Sequence, residues 1–513
     1  MTGRSLACAW LLCCATLIGG CATIDFDYPK TESFAMDGGE TYLGGQSLLL
    51  TEGHAQSGFL LQVDGIDALA TRLLLAERAE LTIDAQYYLI HADVTGFLFI
   101  EALLRAADRG VRVRLLVDDI LARDYDLGMA ALDAHPHFEV RIFNPFVRTG
   151  LRRLNMVRDF RRINRRMHNK TFTVDNQITI IGGRNIAAEY FDAREDVNFG
   201  DLDAVAIGEV VHDVSRQFDT YWNDEYAVPV PAFVDEPDDP EAAIARLRQA
   251  IADSRVKLDK SPYVAVLIRS VESLIDGDGV EFTWADHQLI YDDPAKARRE
   301  TLAPEDSIMT PLRATLVGSK ESLTVVSPYF VPTRSTIDEA GQLTERGVDV
   351  RVITNSLASN NHAIVHSGYA RTRKPMLKNG VHLWEIRADT VTTGAERAGA
   401  LQSEGTLHTK GFIVDRKVLF LGSFNFDPRS AYINTELGVI IDSPVLAGWI
   451  EERIDRLMPN VAYQTVLNDR GRLEWIAKQE DGTTIVYAKE PDTGFWTRLG
   501  VRMMGWLPIK GQL

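Results

Sequence analysis

The chain has 513 residues, 45% of them hydrophobic and 25% charged, with a formal net charge of −17 and a pI near 5.2. That length exceeds one ordinary core, so two or three domains are expected, and the acidic balance argues against an extended basic groove for nucleic acid. All four cysteines (Cys8, Cys13, Cys14 and Cys21) fall in the first 21 residues, which excludes a disulfide framework or a cysteine-ligated metal from the rest.

The chain opens like a signal peptide: Arg4 precedes an apolar stretch, Leu6 to Gly20, too short to span a bilayer comfortably. Its end, Leu17-Ile18-Gly19-Gly20-Cys21, resembles the bacterial lipoprotein box, whose cysteine is lipidated. An ordinary cleaved signal, or a short anchor with an incidental cysteine, is the alternative. With Ala22 rather than Asp next, the resemblance implies the periplasmic face of the outer membrane. Residues 1–21 are thus assigned to the signal and 22–57 to an irregular leader.

From Gly58 the pattern turns α/β. Leu81–Tyr88 predicts a strand, Gly96–Arg109 an amphipathic helix and Val111–Val117 a buried strand closed by Asp118 and Asp119. Residues 58–226 form a first domain. Residues 227–305 are a linker and helical insert, with an acidic, proline-rich run, a helix over Pro240–Ser254, and the phrase YDDPAKARRE as a loop entering a helix. The order then repeats over 306–458: a strand at Leu323–Tyr329, a helix at Ser335–Arg346, a strand at Val348–Ile353. Gly110 and Gly347 stand where a C-terminal glycine cap is expected. Residues 459–513 read as a C-terminal amphipathic extension. Strands alternating with helices predict mostly parallel, helix-covered sheets.

One phrase occurs twice. HNKTFTVDNQITIIGGRN carries His168, Lys170, Asp175, Gly182 and Asn185; HTKGFIVDRKVLFLGSFN carries His408, Lys410, Asp415, Gly422 and Asn425, each 240 residues further on. Each phrase predicts a β-hairpin turning at Asp175-Asn176 or Asp415-Arg416. Residues i and i+2 of a strand share a face, so each His points with its Lys. The glycines let backbone approach a ligand, and Asn185 and Asn425 can donate amide hydrogens. If the halves pack with pseudo-twofold symmetry, two His, two Lys and two Asn converge. That set suits a phosphodiester: the lysines and amides stabilise the anionic oxygens, one imidazole attacks phosphorus and the other protonates the leaving oxygen. No metal or other cofactor is required.

These phrases resemble the two signature motifs of the phospholipase D superfamily. The resemblance implies two α/β/α domains related by a pseudo-twofold axis, with one active site at their interface and a phosphohistidine intermediate. It implies His168 as nucleophile and His408 as general acid. Asp175 and Asp415 complete the catalytic motif, and a structural role is implied for them. It also implies acids that orient the histidines: Glu436 in the second half, and Asp201 or Asp203 in the first. Gly183 stands where many members have Ser, whereas Ser423 is present and is expected to help bind phosphate. QYYLIHADVTG, AADRGVRVRLLVDD, the YDDPAKA run and FNFDPRSAYINTELG are similar to bacterial cardiolipin synthases, the third type above all. The implied reaction joins phosphatidylglycerol to a phosphatidyl donor.

Phospholipids and a membrane surface are therefore the expected partners, nucleic acid is not, and the sequence leaves the oligomeric state open. Eight arginines between Arg148 and Arg166 could steer anionic headgroups or form a solvated face. His362, His366 and Arg371 are candidates for headgroup contacts or simply part of a helix start. FWTRLGVRMMGWLPIKGQL suits an interfacial helix or one docked on the body. A hydrolytic phospholipase D, a related nuclease and a non-catalytic lipid-binding lipoprotein are the competing functions.

Overall fold

The structure is a computed structural model and describes residues 24–120, 125–148, 159–258, 262–275, 281–299, 302–390, 404–479 and 481–506. Cys21 and its signal lie outside these residues.

In the first half, three parallel strands, Thr82–Tyr87, Arg112–Asp118 and Phe138–Phe143, form the sheet centre. The helix Val94–Asp108 links the first two. The Asp93 carboxylate starts it by accepting the Thr95 and Gly96 N–H groups, and Gly110 ends it at φ +94°. The motif hairpin, Thr171–Val174 with Ile178–Gly182, adds antiparallel to Thr82–Tyr87. Asp203–Ile207 and Ser57–Gln62 follow it outward. The second half repeats the plan: Ser322–Val326, Asp349–Asn355 and His382–Ile386 run parallel, and the hairpin Gly411–Val414 with Val418–Gly422 packs beside Ser322–Val326. Both hairpins turn through left-handed pairs, Asp175 and Asn176 at φ 50° and 52°, Asp415 and Arg416 at 54° and 53°, in β-turns closed by Gln177 N–H on Val174 O and Lys417 N–H on Val414 O.

Three segments are more regular than their patterns suggest. Within 227–305, Thr283–Tyr291 is a strand. Its start pairs with Ser57–Phe59 and its remainder with Leu437–Asp442, fusing both sheets into one 18-stranded ladder. The leader carries a helix, Tyr42–Thr51, and its irregular part is strapped down: buried Arg114 and Arg141 donate to the carbonyls of Ser33 and Thr31. Beyond residue 458, Ala462–Leu467, Leu473–Lys478 and Thr484–Tyr487 extend the second sheet from His382–Ile386. A core cluster containing Ile181, Ala204 and Ala206 from one half and Leu421, Val439 and Ile441 from the other lies between the halves. Burying each of the Ile, Leu and Val side chains among them contributes about 1.5–3 kcal/mol. No helix of the described residues is long and apolar enough to cross a membrane.

Candidate active site

The motif histidines meet at the seam, and backbone pairing brings each to the other half. His168 N–H donates to Thr435 O (2.9 Å), so Glu436 arrives beside it; His408 N–H donates to Gly200 O (2.8 Å), so Asp201 does. His168 Nδ1 then donates to Glu436 Oε2 at 2.8 Å, and His408 Nδ1 to Asp201 Oδ2 at 2.6 Å. Each carboxylate fixes a tautomer whose Nε2 carries the lone pair.

Strand register settles which acid is equivalent to Glu436. Gly182 pairs with Asp203 and Gly422 with Gly438, so Asp201 and Glu436 both sit two residues earlier. Asp203 instead accepts from Arg72 (2.8 Å) and lies 3.3 Å from Arg184. The glycines serve close approach. A Cβ on Gly183 would stand 2.3 Å from Asp201 Oδ1, so serine would displace the orienting carboxylate.

One expected role changes, that of Ser423, while Asp175 and Asp415 take the structural role the resemblance implies. Asp175 and Asp415, grouped with the catalytic motif, touch no reacting group. Asp175 accepts the N–H groups of Glu80, Leu81 and Thr82, and Asp415 those of Lys320, Glu321 and Ser322. They staple each hairpin turn to the start of the neighbouring central strand. Ser423, expected at the phosphate, donates to Glu436 Oε2 (2.5 Å) and accepts from Leu437 N–H. It therefore acts on the carboxylate that orients His168.

Lys170 and Lys410 are 2% and 1% exposed. Lys170 donates to His168 O, and Lys410 Nζ lies 2.7 Å from His408 Nδ1 and 3.0 Å from Nε2. Burial, with Lys170 nearby, lowers the His168 pKa to about 4 against the pull of Glu436. Burial and Lys410 lower His408 to about 3. Burial lowers Lys410 to about 8 and Lys170 well below its ordinary value. Burial works to raise Asp201 and Glu436, but Lys410 and His408 hold Asp201 down, and His168 and Lys170 hold Glu436 down. At neutral pH both imidazoles are therefore neutral beside ionised acids. A bound phosphodiester anion would favour the protonated lysines and the imidazolium.

The two amides differ. Asn185 Nδ2 donates to Tyr190 Oη (2.9 Å), whereas the Asn425 side chain makes no hydrogen bond among the described residues. Several contacts escaped the sequence reading. Tyr190 Oη lies 3.4 Å from His408 Nε2, Phe199 stacks on the His408 ring at 5.3 Å, and Tyr88 packs edge-on against His168 at 4.9 Å. Asp118 accepts Met167 N–H, holding the residue before His168. In the YDDPAKA run, Asp292 N–H donates to Glu436 O, its Oδ2 accepts Glu436 N–H, and Lys296 neutralises it. The aspartates that close a strand or open a proline turn were the available signal.

The described arginines before His168 are largely internal. Arg148 pairs with Asp119 and Asp126; Arg166 is fully buried on Asp118 and Asn144 O; Arg162 and Arg165 donate to the carbonyls of Pro145 and Lys296. Arg152, Arg153 and Arg158 lie outside the described residues.

The model of the family described as cardiolipin synthase, phospholipase D-like domain matches residues 75–222 and 312–458, one copy per half. The chain belongs to this phospholipase D-like family. Cardiolipin synthase C of Escherichia coli (strain K12) is 40% identical over 474 residues, covering 90% of this chain and 97% of that protein. An uncharacterised protein of Helicobacter pylori (strain J99 / ATCC 700824) is 33% identical over 462 residues, 88% of each chain. The crystal structure of a Haemophilus influenzae phosphatidylserine synthase superposes with a TM-score of 0.56 at 12% identity, over 90% of this chain and 96% of that one, and shares the fold.

Proposed function

We propose that this family member is a phosphatidyltransferase that forms cardiolipin from phosphatidylglycerol and a second phospholipid. The observation that carries it is the pair of crossed His–carboxylate contacts facing two buried lysines; the 40% identity to a cardiolipin synthase supports the substrate class. With the phosphodiester anion bound, His408 takes up a proton from solvent; His168 Nε2 attacks the donor phosphorus and the bond to the headgroup oxygen breaks, with His408 passing that proton to the oxygen. The acceptor hydroxyl of phosphatidylglycerol then gives its proton to His408 and attacks phosphorus, and the P–N bond breaks. Lys170, Lys410 and Asn425 stabilise the equatorial oxygens. The contacts support His168 as nucleophile. Its Nε2 has no protein partner among the described residues, whereas His408 Nε2 is flanked by Tyr190 and Lys410.

The test is incubation of detergent-purified protein with phosphatidylglycerol, with and without phosphatidylethanolamine, and mass spectrometry of the products. Cardiolipin is expected. Phosphatidic acid alone would make it a hydrolase, and no lipid turnover would refute both. The lipid anchor at Cys21, and with it the outer-membrane location, belongs to the same proposal. Incorporation of labelled fatty acid that persists in Cys21→Ser would refute it.

A further inference from the structure

The C-terminal helix Phe495–Met504 carries a surface that the catalytic chemistry does not use. Val501 is buried, but Phe495, Trp496, Met503 and the following Trp506 are 64%, 78%, 57% and 79% exposed. Four large apolar side chains on one short segment are not what a solvated surface presents. Beside them runs a groove of about 610 Å³ lined by Arg371, Lys374, Arg472, Lys489, Arg498 and Arg502. None of these six is in a salt bridge among the described residues. The one acid of the lining, Glu490, is committed to Arg373 (2.5 Å) and His366 (3.2 Å). In a chain of net charge −17 this is a concentrated positive field.

The surface is coupled to the site. Helix Phe495–Met504 packs on helix Ala363–Tyr369. The residue before that helix, His362, packs on Tyr329 (5.2 Å), which packs on His408 (6.3 Å). Of the sequence candidates, His366 is buried on Arg373 and Glu490, while Arg371 lies in the groove.

We propose that this helix face and groove dock on an anionic phospholipid bilayer, the aromatic side chains entering the interface and the six cations meeting headgroups, so that the catalytic mouth is held at the membrane independently of Cys21. Aromatic anchors with flanking Arg and Lys are the composition that binds in the interfacial plane. A second copy of the chain pairing through the same face would set the two cationic grooves against each other. The choice of a lipid partner rests on the transferase reading, but its test does not.

The experiment uses the full chain carrying Cys21→Ser. Co-sedimentation with vesicles of phosphatidylglycerol and phosphatidylcholine should exceed that with phosphatidylcholine alone and fall with added salt. Joint F495S and W496S should weaken it by about tenfold or more, and so should joint K489E and R502E. Thermal unfolding of both variants, and turnover of a dispersed short-chain lipid, should match the parent. Equal vesicle binding by parent and variants overturns the proposal, as does a dimer that the variants dissolve. Vesicle binding lost by the variants with no lipid turnover by the parent would sink the transferase reading and leave the docking surface standing.

Discussion

Glu436 Oε2 lies 2.8 Å from His168 Nδ1, although 268 residues separate them in the chain. Replacing the carboxylate while keeping its shape isolates its electrostatic part. Glu436→Gln should lower kcat by about 100- to 10,000-fold, because the amide can favour the wrong tautomer and no longer stabilises the imidazolium. Asp201→Asn should do likewise through His408. Steady-state kinetics on folded variants decides, and a loss of less than a few-fold in both would contradict the orienting role.

The two histidines should separate in trapping experiments. His168→Ala should abolish the covalent lipid adduct, measured by intact-protein mass spectrometry after acid quench. His408→Ala should slow both its formation and its breakdown. An adduct that survives His168→Ala reverses the assignment.

The pH profile follows from burial. With His168 lowered to about 4, the nucleophile stays unprotonated well below the usual imidazole range. The acid limb that protonation of the nucleophile sets on kcat/KM should therefore fall near pH 4 rather than 6.5. For stability the sign is fixed by which state binds protons first. Between the ordinary imidazole value of about 6.5 and the folded values, the unfolded chain takes up protons that the folded chain refuses. Stability contributed by the neutral histidines is present above that range and is lost as pH falls through it. Denaturant midpoints measured from pH 7 to 4 should decline. A second acid limb at 6.5 in kcat/KM would contradict the buried, neutral pair.

Removing a hairpin staple should separate stability from chemistry. Asp175→Ala leaves three N–H groups of Glu80–Thr82 without their acceptor and should cost about 1–3 kcal/mol, read as a lower Tm, with kcat of the folded fraction unchanged. Asp415→Ala should behave alike but more mildly, since its partners are nearer solvent. A loss of kcat at full stability would return these residues to the chemistry.

Chelation should leave turnover intact, because Lys170 and Lys410 supply the positive charge that a metal would otherwise bring. Inhibition by EDTA that added divalent ions reverse would contradict this.

The motif residues, the hairpins and the helix caps were legible because their signals are local: spacing along a strand, a two-residue turn, a glycine at positive φ. The choice between Asp201 and Asp203 was not, because it depends on which strand residue Gly182 faces. The crossing of acids to the opposite histidine needs the docked halves. Ser423 misled because its chemistry fits a phosphate as well as a carboxylate, and only position separates them. The arginines before His168 read as a cationic patch because their acids, Asp118, Asp119 and Asp126, lie 22 to 48 residues earlier in the chain. Thr283–Tyr291 hid because its polar and apolar residues serve two different sheets in turn.

That shared strand constrains how the enzyme can move. With three register pairs to one half and six to the other, Thr283–Tyr291 acts as a weld. Swinging the halves apart would rupture main-chain hydrogen bonds and open a common apolar seam. A bulky two-tailed substrate must therefore be accommodated by rearranging side chains and loops at the strand ends rather than by a clamshell motion, and the distance between His168 and His408 is set at folding and does not await the substrate.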